Sequence, residues 1–255
     1  MGRAVAAATD RSDVDGVVVT HGTFTAEVTA YFLHLTMSTR KPVVVACSQR
    51  KHGTLGNDGD RNLLDSVRLA GDLSAGRKGV FVVLNEEIHS AREVVKTNRR
   101  PTGFHSDHSG ILGTVSDDQV TFYRSPTRRH TADSEFSVPA ATLPRVDIVA
   151  TYAGADGAAV EGVLAAGAAG IVVNGFSYSG KPHQDQRPSL QSAVAKGVPV
   201  VLVNRGGDGR IPVPEESDGF VRGDNLTAQK ARVLLSLALP TGTDVHNLQR
   251  IFSEY

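Results

Sequence analysis

Cysteine is nearly absent from this sequence, which has one, Cys47, among 255 residues. A single thiol excludes an intrachain disulfide framework and a cysteine-based zinc cluster. It fits a reducing compartment, so we predict a cytoplasmic protein. Because Cys47 stands in a valine-rich run, a buried and unreactive thiol is favoured over a reactive one.

Net charge and long apolar runs are lacking as well. The 27 Lys and Arg residues balance 27 Asp and Glu residues, which argues against nucleic acid or an anionic membrane as the main partner. No apolar run approaches the roughly 20 residues of a membrane-spanning helix, and the first residues lack the hydrophobic core of a secretory signal. The aromatic content of 5% and the 26 glycines are typical of a soluble α/β protein.

Short valine-rich runs alternate with segments of helical periodicity in both halves of the chain. In the first half, this pattern predicts strands at 16–19, 43–46 and 80–84 and helices at 26–33 and 60–73. Such alternation is typical of a parallel sheet with right-handed crossovers. After residue 86 the pattern changes, and two apolar runs around Ser116-Asp117-Asp118 predict a β-hairpin.

A segment of low apolar density, with basic residues and prolines, separates the two halves. We therefore predict an N-terminal domain at 1–127, a linker at 128–144 and a C-terminal domain at 145–255. The strand and helix alternation resumes at residue 146 and continues to the end of the chain.

The stretch 15–33 has the pattern of a binding site. Val17 to Val19 predict a buried strand, Thr20 to Thr23 form a turn with one glycine, and a helical pattern follows from Ala26. Hydroxyls and backbone N–H groups then lie at the carboxyl end of a strand, where open α/β folds bind ligands.

The residues of this stretch, THGTFTAEVTAYFL, resemble the second signature of the bacterial-type L-asparaginase/glutaminase family. The segment AREVVKTN at 91–98 is similar to the family segment that holds the catalytic lysine. Further blocks resemble the family in order along nearly the whole chain, among them LPRVDIVATYAGADG, KGVPVVLVNRGGDGRI and NLTAQKARVLLSLAL. On these blocks the chain is identified as a member of this family.

The resemblance implies a fold, an activity and an assembly. The fold is α/β, with a larger N-terminal parallel-sheet domain that is truncated at its start and a smaller flavodoxin-like C-terminal α/β domain. The activity is an asparaginase-type amidohydrolysis that releases ammonia from L-asparagine or a related amide, without a metal or an organic cofactor. The assembly is a homodimer or homotetramer with sites at the subunit junction.

The resemblance also implies the residues of the site. Thr23 falls on the threonine of the family's catalytic Thr-Asp-Lys group, and Lys96 falls on its lysine. Gly22 and Phe24 fall on substrate-binding positions, but Phe24 stands where the family has an aspartate that holds the substrate's α-ammonium group. A hydroxyl beside a desolvated lysine is a pairing that amide hydrolysis can use. The structural alternative is that Thr23 caps the helix that follows, with Glu27 in a capping-box-like arrangement.

One further departure from the family leaves other functions open. The family begins with a strand and a Gly-Gly-Thr segment that supplies a nucleophilic threonine, and no Gly-Gly-Thr occurs among the 255 residues. Together with Phe24, this motivates two alternatives. One is a catalytically inactive homologue that acts as a binding or assembly module. The other is a hydrolase for an amide or lactam that carries no α-ammonium group.

Histidines offer two weaker candidates. His21 lies beside Gly22, but a structural role is favoured because the family has a histidine there without a chemical role. His105, Asp107 and His108 have a spacing that could hold a metal ion, but no cysteine supports them and a solvated loop is favoured.

Overall fold

The computed structural model describes residues 1–106, 109–207 and 209–255. The chain divides into two compact units, Met1–Val138 and Pro139–Tyr255. The part described contains no helix that is long and apolar enough to cross a membrane.

The first unit is built on a mixed six-stranded sheet. Its helices and strands are α1 (Gly2–Thr9), β1 (Val17–Thr20), α2 (Ala26–Thr36), β2 (Val43–Ala46), α3 (Gly59–Gly71), β3 (Val80–Leu84), β4 (Glu87–Ser90), β5 (Val95–Lys96), β6 (Phe104–His105), β7 (Gly113–Ser116) and β8 (Gln119–Phe122). The strand order is β1-β2-β3-β4-β7-β8, and β5 and β6 form a separate two-stranded pair. The α/β class and the larger N-terminal sheet domain are thus confirmed.

The sheet is parallel only from β1 to β3, and the later pairings are antiparallel. The reason lies in the connection between β3 and β4, which consists of Asn85 and Glu86, with φ values of 53° and 66°. A two-residue turn with positive φ at both positions joins antiparallel neighbours, whereas a parallel pair needs a crossover of a dozen residues or more. The predicted hairpin at 111–123 is confirmed as β7 and β8, with Asp117 and Asp118 in the same turn conformation.

The valines of β2 pack against helices on both faces of the sheet. Val43 and Val45 of β2 belong to the same buried cluster as Ala30 and Leu33 of α2. Val44 points to the other face, into a cluster with residues of α3 that include Leu69 and Ala70. Because alternate residues of a strand face opposite sides, β2, which carries valine on both faces, is buried between two helical layers.

Strand β1 lies at one edge of the sheet. It pairs with β2 in parallel register, and within the described ranges no strand pairs with its other side. The neighbouring helix α3 exposes Leu63, Leu64 and Val67. Gly16 brings this edge close to α3, because a Cβ at that position would lie 2.0 Å from the Ala70 carbonyl oxygen.

We expect this edge to cause self-association of the 255-residue chain. An open strand edge beside exposed apolar side chains is a template for pairing with another copy. Light scattering at increasing protein concentration measures this, and Leu64→Lys should reduce the association. A monomer at all concentrations with a single cooperative melting transition would contradict the expectation.

The second unit contains a four-stranded parallel sheet with the order β12-β11-β10-β9. Its elements are β9 (Val146–Ala150), α4 (Ala158–Ala165), β10 (Gly170–Gly175), α5 (Arg187–Ala195), β11 (Val200–Asn204), β12 (Val221–Arg222), α6 (Ala228–Ala238) and α7 (Val245–Glu254). Side chains of β9, β10 and β11 form its core with Val160 of α4 and Leu190 of α5. This sheet confirms the α/β alternation predicted for the C-terminal domain.

The segment after β8, up to Val138, belongs to the first unit and packs against α2. Ser134 donates a hydrogen bond to the Leu35 carbonyl at the end of α2. The buried ring of His130 lies 4.8 Å from the ring of His34, measured between centroids. The linker predicted at 128–144, and the domain limits on either side of it, stay a prediction.

Burial of His130 makes the stability of the fold depend on pH. Desolvation lowers the pKa of His130 below the ordinary value of 6.5, against a smaller raising effect from Asp133. Below about pH 6.5 the unfolded chain therefore binds more protons than the folded one, so stability is full above this pH and falls as the pH drops toward the folded-state pKa. Denaturant unfolding at pH 7.5, 6.5 and 5.5 gives the free energy of unfolding, which should change less with pH in His130→Gln than in the parent. His52 is exposed and serves as the control. If the free energy of unfolding of His52→Gln changed with pH as little as that of His130→Gln, the expectation would be contradicted.

Candidate active site

The site lies where β1 ends and α2 begins. The chain leaves β1 at Thr20, turns through residues 21–25 and enters α2 at Ala26, with Thr25 as the N-cap residue. Ala26 and Ala30 are completely buried, so the first turn of α2 is fixed to the core. Thr23 stands in this turn at the carboxyl end of the parallel part of the sheet, as the sequence pattern predicts.

Lys96 reaches Thr23 from a distant part of the chain. It is the second residue of β5, which pairs antiparallel with β6 so that Lys96 is opposite Phe104. Its Nζ donates a 2.6 Å hydrogen bond to Thr23 Oγ, across 73 residues of sequence. The two residues named as catalytic from the sequence are therefore in direct contact.

Two phenylalanine rings flank the lysine amine. The Phe24 ring centroid is 5.2 Å from Lys96 Nζ, and the Phe104 centroid is 6.0 Å away. Phe104 is buried, whereas 94% of Phe24 is exposed. Both rings therefore border the position of the lysine nitrogen beside Thr23. The sequence pattern does not indicate Phe104, because it falls in a polar, histidine-containing stretch without periodicity.

Glu27 contacts the backbone of Lys96. Its Oε2 accepts a 2.7 Å hydrogen bond from the Lys96 backbone N. The capping alternative is not formed, since α2 has no side-chain cap hydrogen bond within the described part of the chain, and Thr23 Oγ is engaged by Lys96 instead. The sequence pattern suggests for Glu27 only a capping-box-like role and does not indicate this contact.

Comparison with family models decides the identity of the chain. Residues 1–128 match the model described as "Asparaginase, N-terminal", and residues 145–252 match the "Glutaminase/Asparaginase C-terminal domain". The chain belongs to the asparaginase/glutaminase family. The family resemblance seen in the sequence is thereby confirmed.

Relatives agree with this assignment to the asparaginase/glutaminase family. The chain is 42% identical over 247 residues to L-asparaginase 2 of Bacillus subtilis, covering 95% of this chain and 65% of that protein. It is 38% identical over 253 residues to L-asparaginase 2 of Escherichia coli, covering 97% of this chain and 72% of that protein. The crystal structure of a probable cytoplasmic L-asparaginase from Campylobacter jejuni superposes with a TM-score of 0.95 at 38% identity, covering 100% of this chain and 82% of that one.

Gly22, a predicted substrate-binding residue of this asparaginase-family chain, is exposed at the entrance to the site. A Cβ at Gly22 would meet no described atom within 4 Å. Its carbonyl oxygen accepts a 2.6 Å hydrogen bond from His21 Nδ1, and the structural role of His21 stays a prediction. The part of Gly22 and Phe24 in binding substrate stays a prediction.

A cavity of about 190 Å³ lies beside the turn, where β1 and β2 end. Residues of both strand ends and of α3 line it, among them Thr20, His21, Cys47 and Ser48. The loop that follows β2 is held by Asp58, whose carboxylate accepts from the backbone N of Gln49 and of Arg50. Thr23 and Lys96 are not among the described residues that line it.

The Cys47 thiol at this cavity is 7% exposed. Burial raises its pKa to about 12, against a smaller lowering effect from the charge of Lys96. At pH 8 the thiolate fraction is then roughly one in ten thousand, compared with about one in four for an ordinary cysteine.

We therefore expect Cys47 to react slowly with thiol reagents. In the native protein at pH 8, a chromogenic disulfide reagent should react about a thousandfold more slowly than in guanidinium-unfolded protein. Cys47→Ser provides the blank. Complete labelling of the native protein within minutes would contradict the expectation.

No group of three metal-ligating side chains is found among residues 1–106, 109–207 and 209–255. Of the three residues considered for a metal site in the sequence, Asp107 and His108 lie outside the described residues. His105 is on β6 and does not line the cavity.

Proposed function

We propose that the chain is an asparaginase-type amidohydrolase that releases ammonia from L-asparagine or a related amide, with Thr23 and Lys96 as its catalytic residues. One observation carries the proposal, the 2.6 Å hydrogen bond between Lys96 Nζ and Thr23 Oγ. The names of the relatives support the reaction class, since they are called L-asparaginase and glutaminase-asparaginase.

The contact gives each residue a step in the reaction. In its neutral form, the Lys96 amine takes the proton of the Thr23 hydroxyl, and the Thr23 oxygen forms a bond to the amide carbon. The tetrahedral intermediate then collapses as Lys96 returns the proton to the leaving nitrogen, which departs as ammonia. Water repeats the sequence on the resulting ester and releases the acid. Apart from this water, all of these steps use the Thr23 hydroxyl and the Lys96 amine.

Phe24 and Gly22 form the part of the site that meets the rest of the substrate. Phe24 presents an exposed ring next to Thr23, so it offers an apolar wall and no hydrogen-bond acceptor. Gly22 keeps the entrance free of a side chain. We propose that these two residues limit the substrate to a small amide.

The assembly, the location and the domain limits also belong to the proposal. We propose a homodimer or homotetramer, a cytoplasmic location, and domains at 1–127 and 145–255 joined by a linker at 128–144. The single cysteine supports the location, as does the solved relative described as probably cytoplasmic. The balance of 27 basic and 27 acidic residues gives no support for a nucleic-acid partner.

Ammonia release from a panel of amides tests the proposal. The purified chain is incubated with L-asparagine, L-glutamine, D-asparagine and simple amides that lack an α-amine, and ammonia and acid are both quantified. We expect ammonia and the matching acid in a one-to-one ratio from at least one of these amides. No ammonia from any of them would overturn the proposal and favour an inactive homologue.

A further inference from the structure

We infer that Glu27 is a positioning residue for the Thr23–Lys96 pair. The inference rests on the proposed function and gives Glu27 no contact with substrate. Glu27 Oε2 accepts a 2.7 Å hydrogen bond from the backbone N of Lys96, 69 residues further along the chain. Lys96 Nζ in turn donates to Thr23 Oγ at 2.6 Å. Glu27 thus holds the strand residue from which the lysine side chain starts.

Lys96 depends on a partner outside its own strand pair. The next residue, Thr97, donates its backbone N–H to the Gly103 carbonyl across the pair at 2.8 Å. Successive N–H groups of a strand point to opposite sides, so the N–H of Lys96 points away from β6. Glu27 accepts the hydrogen bond that this strand pair leaves open.

The strand pair itself is small. Strands β5 and β6 have two residues each and form a sheet separate from the six-stranded one. A two-stranded ribbon of this length has little stability of its own. The hydrogen bond that Lys96 donates to Glu27 on helix α2 is therefore an important constraint on the position of Lys96.

Glu27 is attached to the part of the molecule that also carries Thr23. It lies in the first turn of α2, next to the completely buried Ala26, and Thr23 precedes that turn by a few residues. A carboxylate near a helix N-terminus is favoured by the helix dipole. Glu27 thereby connects the two halves of the catalytic pair, one on the α2 turn and one on β5.

We expect Glu27→Ala to lower kcat by about 10- to 100-fold while KM stays within about threefold, because a catalytic group displaced by about 1 Å can lose that much rate. Glu27→Gln keeps an oxygen that accepts from the same amide, so it should restore kcat to within about fivefold of the parent. The matched control is Asp72→Ala, which removes a carboxylate that accepts 2.7 Å from the backbone N of Ser74 in the same unit. It should leave kcat unchanged.

Two structural readouts distinguish positioning from a general loss of stability. A crystal structure of Glu27→Ala should show Lys96 Nζ beyond about 3.5 Å from Thr23 Oγ, outside hydrogen-bond distance. The Lys96 amide proton, followed by NMR, should exchange slowly in the parent and in Glu27→Gln and quickly in Glu27→Ala.

Several results would overturn the inference. One is a parental kcat in Glu27→Ala. Another is a loss of activity in Glu27→Ala that equals its loss of folded protein, with the distance from Lys96 Nζ to Thr23 Oγ unchanged. If the parent releases no ammonia, the proposed function fails, and the Nζ–Oγ distance in Glu27→Ala still decides whether Glu27 positions the pair.

Discussion

Lys96→Met lowers kcat for ammonia release by about 100- to 10,000-fold, the range expected when a residue that transfers a proton is lost. Methionine has a similar length and an apolar end, so it fills the space between the Phe24 and Phe104 rings but can neither accept the Thr23 proton nor donate one to the leaving nitrogen. Because Lys96 is half-buried in a two-residue strand, the melting temperature should change little. Steady-state ammonia release and thermal unfolding measure the two effects.

Lys78→Met is the matched control for this variant. The Nζ of Lys78 lies 5.0 Å from the ring centroid of Phe122, a geometry close to that of Lys96 over Phe24, but it bonds the Ser74 carbonyl rather than a hydroxyl. Its replacement should leave kcat at the parental value. Equal activity in Lys96→Met and in the parent would remove Lys96 from the mechanism.

Phe24→Asp should shift the substrate preference toward amides that carry an α-ammonium group. The resemblance places an aspartate at this position in the family, where it holds that group. A charge-assisted hydrogen bond contributes about 1.5–3 kcal/mol. The ratio of kcat/KM for L-asparagine to that for a simple amide should therefore rise by about 10- to 150-fold.

A second exposed apolar residue controls for the added charge. Leu73 is 95% exposed and lies on α3's C-terminal side, away from the cavity lining. Leu73→Asp adds the same carboxylate and should leave the preference ratio unchanged. If Phe24→Asp also leaves the ratio unchanged, Phe24 takes no part in choosing the substrate.

The parts of the fold that follow from local patterns could be predicted from the sequence. Strands β2 and β3 are short runs of Val, Ala, Phe and Leu that are buried at every position, and such runs are recognisable without any partner. The switch to antiparallel pairing after β3 was not predicted. It depends on two residues, Asn85 and Glu86, whose positive φ values decide the turn, and neither is a glycine that would have signalled it.

The site could be predicted in its residues but not in its contacts. Thr23 and Lys96 are predictable because their segments resemble family motifs, but no local periodicity links residues that stand 73 positions apart. Strands β5 and β6 are too short to show the alternating apolar and polar pattern of a strand. The position of Phe104 near the lysine therefore could not be predicted from the sequence. Glu27 shows the limit most clearly. The sequence suggests only a capping-box-like arrangement with Thr23, and only the fold shows that the Glu27 carboxylate accepts from the Lys96 backbone.

A double-mutant cycle on Thr23→Val and Lys96→Met tests the central claim most directly, namely that the two side chains act as one unit. Residues that act in the same step lose their effect together, so their single-mutant effects are not additive. We expect each single variant to lower kcat/KM for the preferred amide by about 100-fold or more. The kcat/KM of the double variant should be no lower than that of the less active single variant. Two losses that multiply in the double variant, or single variants as active as the parent, would contradict the account.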